Sequence, residues 1–264
     1  MADLDIDING GVLVATLNRP EVKNAFSEEM LSGFIAALDR AAADPEIGCV
    51  LLTGAGDVFC SGGDLGRRSR DEAGGDPSAL ERRQRLQKVT HRVAQAVERF
   101  EKPLICAVNG AAVGAGMDLS LMCDIRFAGQ SARFAERYIR VGLLPGNGGA
   151  WFLPRLVGPA KALELLWTGD FVGADEALRI GIVNRVYPDD ELLSEAISFA
   201  QSLAEGPPLQ IRDIKILMNQ SLRTDLRTSL EMVASQMAVI QCTDDYREAI
   251  SAFKEKRKPI FRGK

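Results

Sequence analysis

The sequence has few of the residues on which many catalytic and metal sites depend. Its 264 residues include one histidine, His91, and five scattered cysteines, with no C-x-x-C pair. A Ser-His-Asp triad would have to use His91, which lies in an amphipathic stretch (86–100) typical of a partly exposed helix. The odd cysteine count argues against a disulfide framework or zinc site. We therefore expect no metal, a reducing and cytoplasmic setting, and chemistry from carboxylates, tyrosines or backbone groups.

Long apolar runs and excess positive charge are also missing. No run reaches the roughly 18 apolar residues of a membrane-spanning helix, and the acidic start of the chain has no signal-peptide core. The formal net charge of −4 argues against a nucleic-acid partner. We expect neither a membrane nor a nucleic acid to be a partner.

Apolar residues, by contrast, make up 46% of the chain, which is enough for a substantial core. Strand-like runs such as "CVLLT" (49–53) and "PLICAVN" (103–109) alternate with helical patterns, and the chain after Asp189 is almost wholly helical to about residue 255. Strands that alternate with helices predict an α/β core built from crossover units, followed by a helical C-terminal segment.

Glycine-rich stretches invite a test for dinucleotide binding, which fails. "TGAGDVF" supplies Gly54 and Gly56, but Phe59 stands where the third glycine belongs. The stretch at Gly114 and Gly116 likewise has Leu119 at that position. Neither stretch completes G-x-G-x-x-G, so a nicotinamide enzyme is disfavoured.

Two other loops place small residues just after predicted strands: "FCSGGDL" (59–65) and "VGAGMD" (113–118). Ligands in open α/β folds bind beyond the carboxyl ends of strands. Two such loops side by side could each direct one N–H at a single oxygen and form an oxyanion hole. The alternative, that both are tight turns using glycine only for its backbone freedom, is equally compatible with the spacing.

Asp118 follows the second loop among apolar neighbours, where an acid is costly unless it has a partner or a task. It is either a catalytic acid–base group or a capping residue in the first turn of a helix. Asp124 fits a structural role better. The basic tail "KEKRKPIFRGK" fits solvent exposure at a helix end, or contact with a ligand phosphate.

Six ordered segments together resemble the crotonase (enoyl-CoA hydratase/isomerase) family over nearly the whole chain. They are "LNRPEVKNAFSEEM", "VFCSGGDL", "KPLICAVNGAAVGAGMDLSLMCDIRFA", "GLLPGNGG", "LLWTGDFVGADEALRIGIVNRV" and "FKEKRKPIF". The resemblance implies an α/β, crotonase-type spiral of repeated ββα units with a C-terminal helical trimerisation segment. It predicts a core over residues 1–195, an oligomerisation segment over 196–264, and a homotrimer or a hexamer made of two trimers.

The resemblance also implies a site for acyl-CoA thioesters, with coenzyme A present only as part of the substrate and no separate cofactor. The backbone N–H groups of Gly63 and Ala115 would hold the thioester oxygen as it gains enolate charge. The predicted CoA groove comprises Lys23, Ala25, Ser61, Asp64 and Leu65. The basic tail would contact the CoA phosphate of a neighbouring subunit.

The catalytic acids depart from the family pattern. Typical hydratases use two glutamates; Asp118 stands at the first position and Tyr138 at the second. A dienoyl-CoA isomerase subgroup also has aspartate at the first position, but its further aspartate would fall on Gly146. Glu136 is a possible substitute, although its counterpart in typical enzymes is not catalytic and a structural role is expected.

The sequence therefore predicts an acyl-CoA enzyme of the hydratase or isomerase type, with Asp118 and Tyr138 as candidate catalytic residues. A crotonase-type decarboxylase or carbon–carbon hydrolase is the rival enzyme class. A homologue that binds acyl-CoA without catalysis is the rival outside enzymes.

Overall fold

A computed structural model describes residues 2–63 and 77–264, and within them two β-sheets form the framework. The larger sheet has the strand order β1-β2-β3-β4-β6-β9, and the smaller has the order β5-β7-β8. Their bounds are β1 Leu4–Asn9, β2 Val12–Leu17, β3 Cys49–Gly54, β4 Leu104–Val108, β5 Ala111–Val113, β6 Ile125–Gly129, β7 Arg133–Ala135, β8 Val172–Gly173 and β9 Arg185–Tyr187. In the larger sheet β1 pairs antiparallel with β2, and each later pair is parallel.

Helices fill the connections between the strands and the C-terminal region. In the described part of the chain they are α1 Glu28–Ala43, α2 Ala79–Arg85, α3 His91–Arg99, α4 Ala115–Met122, α5 Gly149–Val157, α6 Pro159–Thr168, α7 Ala174–Arg179, α8 Leu192–Ala204, α9 Pro208–Ser221, α10 Leu226–Ile240 and α11 Asp244–Glu255. A π-helical turn, Leu86–Thr90, joins α2 to α3, and short 3₁₀ segments span Pro20–Val22 and Arg137–Val141.

The larger sheet is buried on both faces. β3 and β4 have no exposed residue, as expected for parallel strands covered on both sides. On one face, residues such as Val12, Leu51 and Phe127 pack against Leu192 and Ala196 of α8. The other face belongs to a larger cluster that includes the inner sides of α1, α3 and α4. This arrangement fixes the strand ends from which the site loops emerge.

The predicted spiral of ββα units is confirmed. One unit runs from β4 in the larger sheet to β5 in the smaller one and then to α4. The next repeats that order with β6, β7 and α5, and β5 pairs parallel with β7. Each turn of the spiral therefore adds one strand to each sheet, and α4 begins two residues after β5 ends.

The C-terminal helices bury little of their surface in one copy of the chain. Asp213 is the buried residue of α9, and the whole of α10 has none. The predicted boundary between residues 195 and 196 falls inside α8, which packs on the larger sheet; the division into core and oligomerisation segment stays a prediction. None of the described helices combines the length and apolarity needed to cross a membrane.

Candidate active site

The two small-residue loops meet backbone to backbone. Gly62 has a positive φ of 92°, and a Cβ atom built on it would lie 2.6 Å from the carbonyl oxygen of Val113 and 3.2 Å from the amide nitrogen of Ala115. A Cβ on Gly116 would overlap the carbonyl oxygen of Cys60. The bare backbone of these loops is therefore a packing requirement, since any side chain would separate them.

Gly63 and Ala115, the predicted oxyanion-hole residues, stand on these adjoining loops. Ala115 is the first residue of α4, so its N–H has no acceptor within the helix and lies at the positive end of the helix dipole. Gly63 forms a parallel bridge with Phe26, through the Phe26 N–H and the Gly62 carbonyl at 2.8 Å. The N–H of Gly63 donates to none of the described backbone carbonyls. This geometry suits two donors for one oxygen atom.

Asp118 lies in the first turn of α4 and is fully buried. Its Oδ2 accepts a hydrogen bond from the Tyr138 hydroxyl at 2.6 Å and another from the backbone N–H of Asn147 at 3.2 Å. Burial raises the pKa of Asp118 to about 6, although hydrogen bonds, chiefly that from Tyr138, oppose that rise. The carboxyl group therefore titrates close to neutral pH, where a general base is most effective.

Tyr138 lies in the 3₁₀ segment, two residues after Glu136. It is half-buried, and its ring lies next to Gly114. Burial raises the pKa of the phenol, and the charge of Asp118 raises it further. The hydroxyl consequently stays protonated and serves as a donor. The two residues predicted to be catalytic are thus in direct contact.

Glu136 is the functional-site neighbour whose position the sequence did not reveal. Its side chain is 1% exposed and reaches the carboxyl group of Asp118. Burial, and then the charge of Asp118, raise the pKa of Glu136 to about 10. The glycines of "GLLPGNGG" were the available signal, because the acids meet beside Gly149 and a Cβ there would collide with both.

The loop that carries Asn147 is tied to α3 by the single histidine. His91 Nε2 donates to the carbonyl oxygen of Gly146 at 2.9 Å. His91 is half-buried, as expected for a helix residue. The histidine therefore anchors a loop of the site and does not face Asp118 in the manner of a triad.

A narrow apolar cavity of about 10 Å³ adjoins the site. Ala115 and Asn147 lie at its wall, and Phe26, Leu31 and Val93 are among the apolar residues that line it. A cavity of this size has room for about one water molecule, so apolar side chains pack closely beside Ala115.

The predicted CoA groove is described in part. Lys23, with a positive φ of 55°, accepts a hydrogen bond at its carbonyl from the Ser61 N–H at 3.0 Å. Ala25 is buried two residues further on. Lys23, Ala25 and Ser61 are therefore brought together, whereas Asp64 and Leu65 lie outside the described residues. CoA binding by this group stays a prediction.

In the basic tail, two residues form ion pairs within the chain. Arg257 pairs with Glu248 at 2.5 Å and with Glu255 at 2.6 Å, and Lys258 pairs with Glu205 at 2.6 Å. These pairs compete with a phosphate for the same cations. Elsewhere, residues 2–63 and 77–264 include no group of three or more His, Cys, Asp or Glu side chains placed to hold a metal ion.

Comparison with known proteins gives a consistent result. The family model described as Enoyl-CoA hydratase/isomerase matches residues 7–264. The chain is 37% identical to the 1,2-epoxyphenylacetyl-CoA isomerase of Escherichia coli (strain K12), over 97% of each chain. It is 36% identical to the crotonyl-CoA hydratase of Syntrophomonas wolfei, over 94% of this chain and 93% of the relative.

Solved structures agree with the sequence comparison. An enoyl-CoA hydratase from Bacillus anthracis superposes with a TM-score of 0.92 and 33% identity, over 99% of this chain and all of the other. An enoyl-CoA hydratase from Polaromonas sp. JS666 gives a TM-score of 0.92 and 34% identity, over 98% and 99% of the two chains.

Proposed function

The chain belongs to the enoyl-CoA hydratase/isomerase family, and on that premise we propose that it is an isomerase-type member that moves a proton between two carbons of an acyl-CoA. The protein is an acyl-CoA-processing enzyme of this family. The proposal concerns the type of reaction, isomerisation, and the roles of single residues. In it, Asp118 is the acid–base group, and Gly63 and Ala115 supply the oxyanion hole.

The contact between Tyr138 and Asp118 carries this proposal. Hydration requires a group that accepts hydrogen bonds from water and exchanges a proton with it, and a second carboxylate does both. At the corresponding position this chain has a phenol, which donates to Asp118 Oδ2 at 2.6 Å. A phenol near neutral pH is a donor and a weak base. Moving a proton from one carbon to another needs only one base, which Asp118 supplies.

The proposed reaction begins with a β,γ-unsaturated acyl-CoA. The Asp118 carboxylate removes a proton from C2, and the electron pair of that C–H bond enters a dienolate whose charge lies largely on the thioester oxygen. The N–H groups of Gly63 and Ala115 stabilise that oxygen. Loss of one such donor typically costs about 10²–10³ in rate. Asp118 then returns the proton to C4, the double bond moves to C2–C3, and the carboxylate is regenerated.

Tyr138 has a supporting role in this scheme. Its hydrogen bond stabilises the ionised form of Asp118, which opposes the effect of burial. The partly exposed ring also shapes the pocket beside Gly114. The relatives do not favour a decarboxylase, a carbon–carbon hydrolase or a non-catalytic binder. Hydration remains the second candidate, since one relative is a crotonyl-CoA hydratase.

We further propose that the enzyme works as a homotrimer or a pair of trimers in the cytoplasm, with no cofactor besides the CoA of its substrate. The exposed apolar residues of α9 and α10, which include Ile214 at 66% and Leu226 at 75% exposure, support self-association. The unpaired cysteines, of which Cys49, Cys60, Cys106 and Cys123 are buried, suit a reducing compartment.

Tyr138 variants test the choice between isomerisation and hydration. We expect wild type to convert 3-hexenoyl-CoA to the 2-enoyl product much faster than it hydrates crotonyl-CoA. Tyr138→Glu should raise the hydration rate, because it restores a second carboxylate, whereas Tyr138→Phe should not. The measurement is steady-state kinetics of both substrates with all three proteins. Fast crotonyl-CoA hydration by wild type, unchanged in Tyr138→Phe, would contradict the proposal.

A further inference from the structure

We propose that Glu136 is a positioning residue whose protonated carboxyl group donates a hydrogen bond to Asp118 and holds that carboxylate ready for proton transfer. The inference deepens the proposed function, since it rests on Asp118 being the base. It concerns a residue for which the resemblance to the family implies a structural role.

The geometry brings the two acids to one point. The nearest atoms to a Cβ placed on Gly149 are Asp118 Oδ1 and Glu136 Oε1, both within 2.7 Å. Asp118 is 0% and Glu136 is 1% exposed, so bulk solvent reaches neither carboxyl group. With both acids ionised, Asp118 Oδ1 and the two Glu136 oxygens have no hydrogen-bond partner at bonding geometry among the described residues, although the backbone N–H of Gly149 acts on Asp118 and lowers its pKa. Three buried acceptor atoms without a donor remain unexplained if both acids are ionised.

One proton on the pair resolves this problem. Two adjacent carboxylates away from water repel each other strongly, and the described residues provide no cation that acts on either. The titratable groups that face Glu136 are Asp118 from α4 and Tyr138 from its own segment, and α5 contributes the backbone at Gly149. If Glu136 keeps its proton, its O–H donates to Asp118 and the two acids satisfy each other.

The pKa values support Glu136 as the proton carrier. Burial and the charge of Asp118 raise the pKa of Glu136, whereas hydrogen bonds, led by that from Tyr138, oppose the effect of burial on the pKa of Asp118. Tyr138 and Asn147 both donate to Asp118 Oδ2, and no described residue donates to Glu136, so in the proposed state the proton lies on Glu136 and the negative charge on Asp118. Hydrogen bonds then fix the carboxylate plane from both sides: Tyr138 and Asn147 hold Oδ2, and Glu136 holds Oδ1.

Infrared spectroscopy tests the protonation state without using turnover. Wild-type protein labelled with ¹³C at the glutamate side-chain carboxyl is compared with unlabelled protein at pH 8. We expect a carboxylic-acid carbonyl band that shifts with the label and disappears in Glu136→Gln. Absence of the band, or its persistence in Glu136→Gln, would overturn the proposal. The labelled wild type decides the question even if the variant folds poorly.

Two variants test the positioning role. Gln keeps a donor toward Asp118, whereas Leu removes it. The acid limb of kcat/KM for 3-hexenoyl-CoA should stay in place in Glu136→Gln. It should move up by about one to two pH units in Glu136→Leu, since a hydrogen bond to a charged group is lost. If kcat/KM falls at the same acid pH in both variants, the positioning role is contradicted. If wild type shows no isomerase activity, the proposed function fails, while the infrared result still decides the state of Glu136.

Thermal stability gives a second readout that is independent of activity. The pKa of Glu136 in the folded protein, about 10, lies above its ordinary value of 4.5, so the folded state keeps a proton that the unfolded state releases. Raising the pH through that window therefore destabilises wild type but not Glu136→Gln. The Tm of Glu136→Gln minus that of wild type should rise between pH 5.5 and 9. Glu195→Gln, at an exposed glutamate, is the matched control and should show no such trend. A difference independent of pH would contradict the proposal.

Discussion

The pKa and the hydrogen bonds of Asp118 are set by the groups that surround its side chain. The same side chain on an open helix turn would be ionised well below neutral pH and would bind protons weakly. Here burial raises its pKa, while Tyr138 and Asn147 donate hydrogen bonds to its Oδ2. The residue can therefore exchange a proton near pH 6 without leaving its place.

The titration of Asp118 leads to a pH prediction. A base must be ionised to accept a proton, so kcat/KM for isomerisation should fall as the pH drops through about 6, the raised pKa of Asp118. Because Asp118 and Glu136 interact, the measured value belongs to the pair. The pH profile of kcat/KM with 3-hexenoyl-CoA between pH 4.5 and 9 measures it. A profile that is flat from pH 8 down to 5 would show that Asp118 is not the base.

Single residues differed in how well the sequence predicted them. The family segments placed Asp118, Tyr138 and Ala115 at one site, and the structure brings Asp118 into contact with Tyr138. The contact between Glu136 and Asp118 had only an indirect sequence signal, the glycines that include Gly149. It depends on a side chain of α4 and one that precedes a 3₁₀ segment meeting across Gly149, a convergence that no local spacing encodes.

Long helices and strands could be predicted from the sequence, whereas the shortest strands could not. Long apolar strands such as β3 and β4, and α1 with its Ser27 cap, follow directly from periodicity and capping. The strands of the smaller sheet have two or three residues each, too few for a period to be visible. The sequence therefore predicts no strand at β5, although β5 places Ala115 at the start of α4.

The packing of α4 against the first loop gives a prediction at the level of elements. In Gly116→Ala the new methyl group would overlap the backbone of Cys60, so α4 and the loop must separate. We expect a loss of roughly 1–3 kcal/mol of stability, as is usual for overpacking, and lower activity because Ala115 moves with α4.

Thermal melts and isomerase rates of Gly116→Ala measure both effects. Gly173→Ala is the control, because its Cβ meets nothing within 4 Å and its φ of −74° is ordinary. Equal melting temperatures for wild type and Gly116→Ala would disprove the tight contact.

At the scale of the whole molecule, the C-terminal helices leave large apolar side chains exposed. α10 spans Leu226–Ile240 and has no buried residue, yet Leu226, Leu230 and Met237 are exposed by 75%, 58% and 51%. A helix that buries no apolar stripe gains little stability from packing. The sequence alone predicted the helices, and the resemblance to the family supplied their role in association.

We therefore expect purified protein to have the mass of three or six chains. Multi-angle light scattering measures that mass directly. Leu226→Asp combined with Leu230→Asp should lower it, since burying two carboxylates in an apolar interface is costly. Glu21→Gln, at an exposed residue of the 3₁₀ segment Pro20–Val22, serves as the control and should leave the mass unchanged. A monomer at micromolar concentration in wild type would contradict the predicted assembly.

The central claim is that Asp118 carries the proton in an acyl-CoA isomerisation, and Asp118→Asn tests it most directly. Asn is nearly isosteric but has no carboxylate to accept a proton, so the variant should fold and bind hexanoyl-CoA as wild type does. Its turnover of 3-hexenoyl-CoA should fall by about 10²–10⁴, the usual contribution of a general acid–base group. Isothermal titration and steady-state kinetics on the same protein samples separate binding from turnover. Unchanged binding with that loss of rate is the predicted result, and a rate close to wild type would contradict the account.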